Sequence, residues 1–234
     1  MHLYIVTGSS RGLGAALARQ LAQSGNTVIG IARRTNAALQ AEQWAMDLAE
    51  PRAAAERLQG WLDTHTGWHS ATLINNAALL AEPAPLAQAD PTELSAALRV
   101  GLEAPALLCR AFLAGTATVP VRRVLNISSG LGRRAMAGSV AYCAVKAGLD
   151  HLSRALALEE PGVAIASLAP GVIDTDMQVQ LRSADPARFA DQPRFQGLKD
   201  GGQLQTADTT AAAIVRFFMR PDFGKTVVCD IRDT

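Results

Sequence analysis

The sequence predicts an α/β fold: a doubly wound parallel sheet of about seven strands with helices on both faces, forming a single domain over residues 1–234. Three observations predict it. Short apolar runs alternate with helix-forming segments along the whole chain, no linker is long or polar enough to divide it, and the first strand pattern passes through a glycine-rich turn straight into a helix. At 234 residues the chain is long enough for a substantial core.

The first strand is expected at 2–7, where the residues are apolar, and the helix at 15–21, rich in helix formers. Between them lies Gly8-Ser9-Ser10-Arg11-Gly12-Leu13-Gly14. Gly8 permits a tight turn, Gly12 lets the backbone approach a pyrophosphate, and Gly14 allows close helix packing, while the helix N-terminus offers free N–H donors. Further strands are expected near 27–31, 43–47, 71–75, 122–127, 163–169 and 225–228. The alanine-rich stretch 52–58 reads as helix surface. Leu149, Leu152 and Leu156 recur at helical intervals and predict a helix over 139–158. Residues 171–205, with Pro186, Pro193, Gly197, Gly201 and Gly202, read as one long irregular section, and loops of that length are usually functional.

Tyr142 and Lys146 stand four apart on one helical stripe. A phenol has a pKa of about 10 in water, and a fixed cation beside it favours the phenolate and pulls that value down. Ser129 follows the strand at 122–127, at the carboxyl end where open α/β sheets bind ligands. Each feature alone has a plainer reading, a solvated pair and a turn serine. The second strand ends in Ala32-Arg33-Arg34, with alanine where a carboxylate would hold a ribose 2′-hydroxyl. Arg33 and Arg11 can instead flank a 2′-phosphate, which points to NADP(H) as cofactor.

The ordered set resembles the short-chain dehydrogenase/reductase family over essentially the whole chain, and within it the sepiapterin reductase and benzil reductase subgroup. Thr7 to Gly14 resembles the family's cofactor turn, Asn75-Asn76-Ala77-Ala78 its fourth-strand motif, and Ser129, Tyr142 and Lys146 its catalytic trio. Pro170-Gly171-Val172-Ile173-Asp174-Thr175-Asp176-Met177 resembles the segment that meets the nicotinamide. The resemblance implies a Rossmann-type fold with cofactor contacts from Gly8, Ser10, Arg11, Gly12, Leu13 and Gly14 in the turn and from Arg33, Asp47 and Leu48 at the adenosine end. It adds Asn75, Ala77, Tyr142, Lys146, Pro170, Gly171, Ile173 and Thr175, the last two holding the carboxamide.

The activity implied is hydride transfer from NADPH to a ketone or dicarbonyl, a pterin side chain or a benzil-like diketone, with Tyr142 giving the proton. Ser129 would orient the carbonyl oxygen, and Lys146 would lower the tyrosine pKa and bind the ribose. By the same resemblance, 171–205 forms a mobile lid. Segments 92–115 and 139–160, with Leu107, Leu108, Phe112, Leu149 and Leu152, would form a homodimer or homotetramer interface, although core packing would demand the same residues. Leu131 and Met177, with Met136, Phe189 and Phe195, are candidates for an apolar substrate wall or for ordinary packing. Asp230 matches a pterin-anchoring position, or pairs with Arg232 or Arg216. Two residues depart from the family. Ala78 replaces a glycine, and Gly101 replaces the asparagine that helps hold a water beside the lysine, which predicts slower turnover. That second departure motivates an alternative, a non-catalytic NADP-binding or redox-sensing protein.

Other classes fit poorly. A formal charge of +1 predicts no affinity for nucleic acid or anionic membrane, and no run of about 18 apolar residues could span a bilayer. Met1 leads directly into the first strand, and Cys109, Cys143 and Cys229 are widely spaced, as in reduced cytoplasmic proteins. His65 and His69 have helical metal spacing, but Gly67 lies between them and no third ligand is evident, so no metal is expected. Gly8-x-Ser10-x-Gly12 matches a hydrolase elbow, but the last histidine, His151, falls in the helix of Tyr142, where the pattern buries it.

Overall fold

The computed structural model describes residues 1–22 and 25–234. One seven-stranded, fully parallel sheet runs in the order β3-β2-β1-β4-β5-β6-β7. The strands are β1 (His2–Thr7), β2 (Asn26–Ala32), β3 (Glu42–Ala45), β4 (Ser70–Asn75), β5 (Val121–Ile127), β6 (Val163–Ala169) and β7 (Val228–Asp230). The helices are α1 (Gly12–Leu21), α2 (Pro51–Thr64), α3 (Pro91–Leu98), α4 (Ala104–Gly115), α5 (Val140–Glu159), α6 (Asp176–Ser183), α7 (Gln192–Asp200) and α8 (Ala207–Phe218).

Side chains alternate across a strand, so both faces of a central strand must be apolar when helices cover both. In β1, Leu3 and Ile5 pack with Ile29 and Ile31 against Leu58 and Leu62 of α2 and Leu108 and Phe112 of α4. Tyr4 and Val6 face the opposite layer, where Leu13 and Leu17 of α1 meet Ile214 and Phe218 of α8. Strand order switches direction at β1 and β4, with β2 and β3 added on one side and β5 to β7 on the other, so the parallel carboxyl ends at Thr7 and Asn75 flank the crevice where such sheets bind ligands.

A row of polar side chains crosses the α4/α5 face. Asn75, Asn126 and Ser167 are in register on β4, β5 and β6. Asn75 Nδ2 donates to Asn126 Oδ1 at 2.9 Å, Asn126 Nδ2 donates to Ser153 Oγ at 2.8 Å, and Ser167 Oγ donates to Asp150 Oδ1 at 2.6 Å. Buried polar groups need such partners, and these bonds fasten α5 to the sheet.

Several expectations are corrected. The last strand lies at Val228–Asp230, not 225–228, because the turn through Gly224 (φ +87°) delays pairing with β6. Segment 171–205 is not irregular: it contains α6 and α7, and its ends are joined where Gln205 N donates to Val172 O and Asp174 N to Gln205 O, both at 2.9 Å. The 52–58 stretch is only partly surface, since Ala54 and Leu58 are fully buried. His151 is exposed rather than buried. Leu108, Phe112 and Leu149 are core residues, so they cannot supply an interface, Leu107 and Leu152 are half-buried, and the exposed large apolar residues of these segments are Leu98, Val140 and Leu158. Among the described residues no helix is long and apolar enough to cross a membrane.

Candidate active site

The glycine turn is shaped by close approach. Gly8 and Gly12 adopt φ of +69° and +55°, a left-handed conformation that glycine tolerates best. A Cβ on Gly14 would overlap the Gly8 carbonyl oxygen and lie 2.5 Å from Asn76 Nδ2. The turn is tied to β4: Thr7 Oγ1 accepts from Asn76 N and Ala77 N, and Asn76 Nδ2 donates to Thr7 O, all at 2.9 Å. The first N–H groups of α1 therefore open onto a narrow backbone cradle that suits a pyrophosphate.

A cleft of about 1270 Å³ runs along the carboxyl ends of the strands. The turn residues Gly8, Ser10, Arg11, Gly12, Leu13 and Gly14 line it, as do Arg33, Asp47, Leu48 and Ala77. So do Ser129, Leu131, Tyr142, Lys146, Pro170, Gly171, Ile173, Thr175, Met177 and Asp230. Asn75 does not. Its side chain turns into the layer beneath the sheet, bonded to Asn126 and 3.4 Å from Cys109 Sγ, because it points to the opposite face from its neighbours. Asn76 lines the cleft in its place, and its bond to Thr7 O is a contact sequence reading missed. Also missed were Arg134 and Arg194, exposed charges with no sequence pattern to mark them.

Ser129 ends the β5 loop, where its Oγ accepts from Leu131 N at 3.2 Å. Lys146 is buried and donates from Nζ to Ile127 O at 2.7 Å, with Nζ 5.4 Å from the centre of the Tyr142 ring. Burial pushes the lysine down to about 8, opposed by the carboxylate of Asp150. Burial also pushes the Tyr142 phenol up to about 12, opposed by the Ser129 hydroxyl. The expected depression of the tyrosine by Lys146 does not show in this geometry: desolvation raises the phenol, and the opposing effect comes from the Ser129 hydroxyl.

Gly101 is buried in a π-helical stretch, Arg99–Glu103, that leads into α4. A Cβ there would collide with Val145 Cγ1 and lie 3.4 Å from Cγ2. The valine thus fills the space that a larger residue at 101 would need.

Two charged candidates are already paired. Arg11 forms an ion pair with Asp176 at the start of α6, joining the turn to the excursion after β6. Both Asp230 carboxylate oxygens accept from Arg232, Oδ1 from Nε at 2.8 Å and Oδ2 from Nη2 at 2.7 Å, and that pairing holds the Asp230 carboxyl below the usual range. Of the alternatives for Asp230, the structure contains the pairing with Arg232. Phe189 is fully buried, stacked near Phe195, so it packs the α6–α7 excursion instead of lining the cleft. Among the described residues no group of three His, Cys, Asp or Glu side chains could hold a metal.

A family model described as short chain dehydrogenase matches residues 2–186. The benzil reductase ((S)-benzoin forming) of Bacillus cereus is 34% identical over 239 residues, covering 95% of this chain and 96% of that one. The sepiapterin reductase of Meriones unguiculatus is 32% identical, covering 98% and 95%. A metagenomic short-chain oxidoreductase solved in complex with NADP superposes with a TM-score of 0.73 at 28% identity, covering 98% of this chain and 94% of that one.

Proposed function

Since this chain belongs to the short-chain dehydrogenase family and is an oxidoreductase, we propose that it is an NADPH-dependent carbonyl reductase acting on a ketone or dicarbonyl, with Tyr142 as proton donor. The observation that carries this reading is the meeting of Ser129, Tyr142 and Lys146 in the same cleft as the glycine cradle.

The residues present fit a nicotinamide dinucleotide. The cradle that a Cβ on Gly14 would fill, with the free N–H groups of α1, suits the pyrophosphate. Asp47 and Leu48 are assigned to the adenosine end, and Pro170, Gly171, Ile173 and Thr175 to the nicotinamide end. Bound there, the cofactor supplies the hydride. NADP over NAD is supported by Ala32 at the end of β2, where no carboxylate would repel a 2′-phosphate, and by exposed Arg33 and Arg34 beside it.

The chain's own part is positioning and proton supply. Ser129 donates its hydroxyl hydrogen to the carbonyl oxygen and orients it, and Tyr142 passes its phenolic proton to that oxygen. A phenol at about 12 is protonated at neutral pH, ready to donate. Lys146, charged below about 8, stabilises the phenolate that forms and binds the ribose hydroxyls. Leu131 and Met177 face the substrate. Asp230, already paired with Arg232, is a weaker candidate for a pterin anchor. A soluble cytoplasmic homodimer or homotetramer is part of this reading, supported by exposed Leu98, Val140 and Leu158 on α3 and α5.

NADPH oxidation, followed by absorbance with benzil and sepiapterin as substrates, tests it. Wild type should turn over one of them, and Tyr142→Phe should lose about a hundredfold or more. Undiminished turnover in Tyr142→Phe would remove the assignment of the proton donor.

A further inference from the structure

We propose that the substrate end of the cleft recognises a carbonyl compound bearing an oxyanion, a carboxylate or phosphate, through the guanidiniums of Arg134 and Arg194. The inference rests on the reading of the cleft as a carbonyl-reduction site and narrows its substrate class.

Every carboxylate lining the cleft has a partner. Asp47 accepts from Ala49 N, Asp174 pairs with Lys199 and Arg182, Asp176 with Arg11, and Asp230 with Arg232. Those contacts also engage Arg11 and Arg232, while Lys146 is buried and bonded to Ile127 O. Arg33 and Arg34 lie after β2, at the end assigned to adenosine. The remaining cleft cations are Arg134 and Arg194, both exposed, and neither guanidinium has a hydrogen bond or ion pair among the described residues.

Their positions are defined by fixed backbone. Arg134 N donates to Gly130 O at 3.1 Å in the turn that follows Ser129, and Arg194 N donates to Asp191 O at 3.0 Å at the start of α7. Arg134 lies two residues before Met136 and Arg194 immediately before Phe195, and those two apolar residues belong to one buried cluster with Leu181 and Phe189, against which Leu131 and Met177 pack. Arg134 and Arg194, both unpaired among the described residues, thus line the same cleft as the apolar Leu131, Met136, Met177 and Phe195 and as Tyr142. An apolar surface edged by uncompensated positive charge favours a ligand with an apolar body and an anionic end. Guanidinium geometry matches the paired oxygens of a carboxylate or phosphate.

The test uses a benzil bearing one para-carboxylate and the methyl ester of the same compound, with NADPH at low salt. Wild type should prefer the acid by roughly tenfold or more in kcat/KM, the scale of one charge-assisted hydrogen bond, and added salt should shrink the ratio. Arg134→Gln/Arg194→Gln should bring the ratio to near one, whereas Arg216→Gln, on an exposed site of α8, should leave it unchanged. Equal kcat/KM in wild type, or a ratio that survives the double variant, overturns the proposal. So does an equal loss of NADPH affinity in that variant, which would assign the two arginines to a cofactor phosphate. Equilibrium binding of acid and ester to the NADP complex decides the matter separately from turnover. If neither compound is reduced but the acid binds more tightly through these arginines, the oxyanion site stands and the assigned reaction fails. Equal binding removes the site.

Discussion

Val145 occupies the notch beside Gly101, so that a Cβ at position 101 would collide with its Cγ1 methyl. The valine immediately precedes Lys146, and both are buried. The departure from the family at 101 is therefore coupled to a second residue, and the two have to be changed together.

Gly101→Asn alone should lose about 1–3 kcal/mol of stability, the usual cost of overpacking a filled core. Adding Val145→Ala should recover part of that loss, because it removes the methyls in the way. Urea unfolding of wild type, both single variants and the double variant measures the coupling; additive losses would mean that the collision is relieved elsewhere. Turnover of the double variant then asks whether an asparagine there accelerates the reaction.

Lys146 and Tyr142 make opposite contributions to the pH dependence of stability. The lysine is lowered from 10.5 to about 8, so between those values the unfolded chain binds more protons and this contribution rises with pH. The tyrosine is raised from 10 to about 12, so its contribution falls as pH rises through that interval. Lys146→Met should remove the first effect, measured as the slope of unfolding free energy between about pH 8 and 10.

In the proposed reaction the rate should fall above about pH 8, where Lys146 loses its charge. Asp150 opposes that loss from four residues along α5, buried and accepting from Ser167 Oγ at 2.6 Å. Asp150→Asn should move the alkaline limb of kcat/KM to lower pH. Ser167→Ala, which keeps the charge, should move it less. An unmoved limb in Asp150→Asn would make the aspartate purely structural.

Ala32→Asp should reverse cofactor preference. A carboxylate at the end of β2 would accept from a ribose hydroxyl and repel a 2′-phosphate. We expect the NADPH KM to rise by about tenfold or more and the NADH KM to fall, read from initial rates with each cofactor.

Gly14→Ala should abolish dinucleotide binding or folding, since its Cβ would overlap the Gly8 carbonyl oxygen and neither backbone can retreat. Fluorescence titration with NADPH checks the first outcome and circular dichroism the second.

The sheet was legible because a parallel strand buried on both faces leaves an apolar run, as at Val163–Ala169, and because Gly8 to Gly14 stand where only a tight turn explains them. The excursion after β6 was not legible as helices. Pro193 reads as a breaker, yet it sits in the first turn of α7, where the missing N–H costs nothing. Burial was the other blind spot. Tyr142 and Lys146 were readable as a pair, but spacing carries no information about desolvation, so the sign of the tyrosine shift was misjudged. Asn75 was placed in the cleft by motif, and only strand alternation assigns that place to Asn76.

The excursion between Val172 and Gln205 leaves and re-enters the domain at one point, its two feet joined by backbone bonds. A segment with a common entrance and exit is a cassette. Its length, helices and side chains can be replaced without altering the distance that the rest of the chain must bridge. Grafting the corresponding stretch of a related enzyme in place of residues 177–204, which keeps Ile173, Thr175 and the Asp176–Arg11 ion pair, is therefore a route to a different cleft wall that leaves the sheet, the glycine turn and α5 as they are.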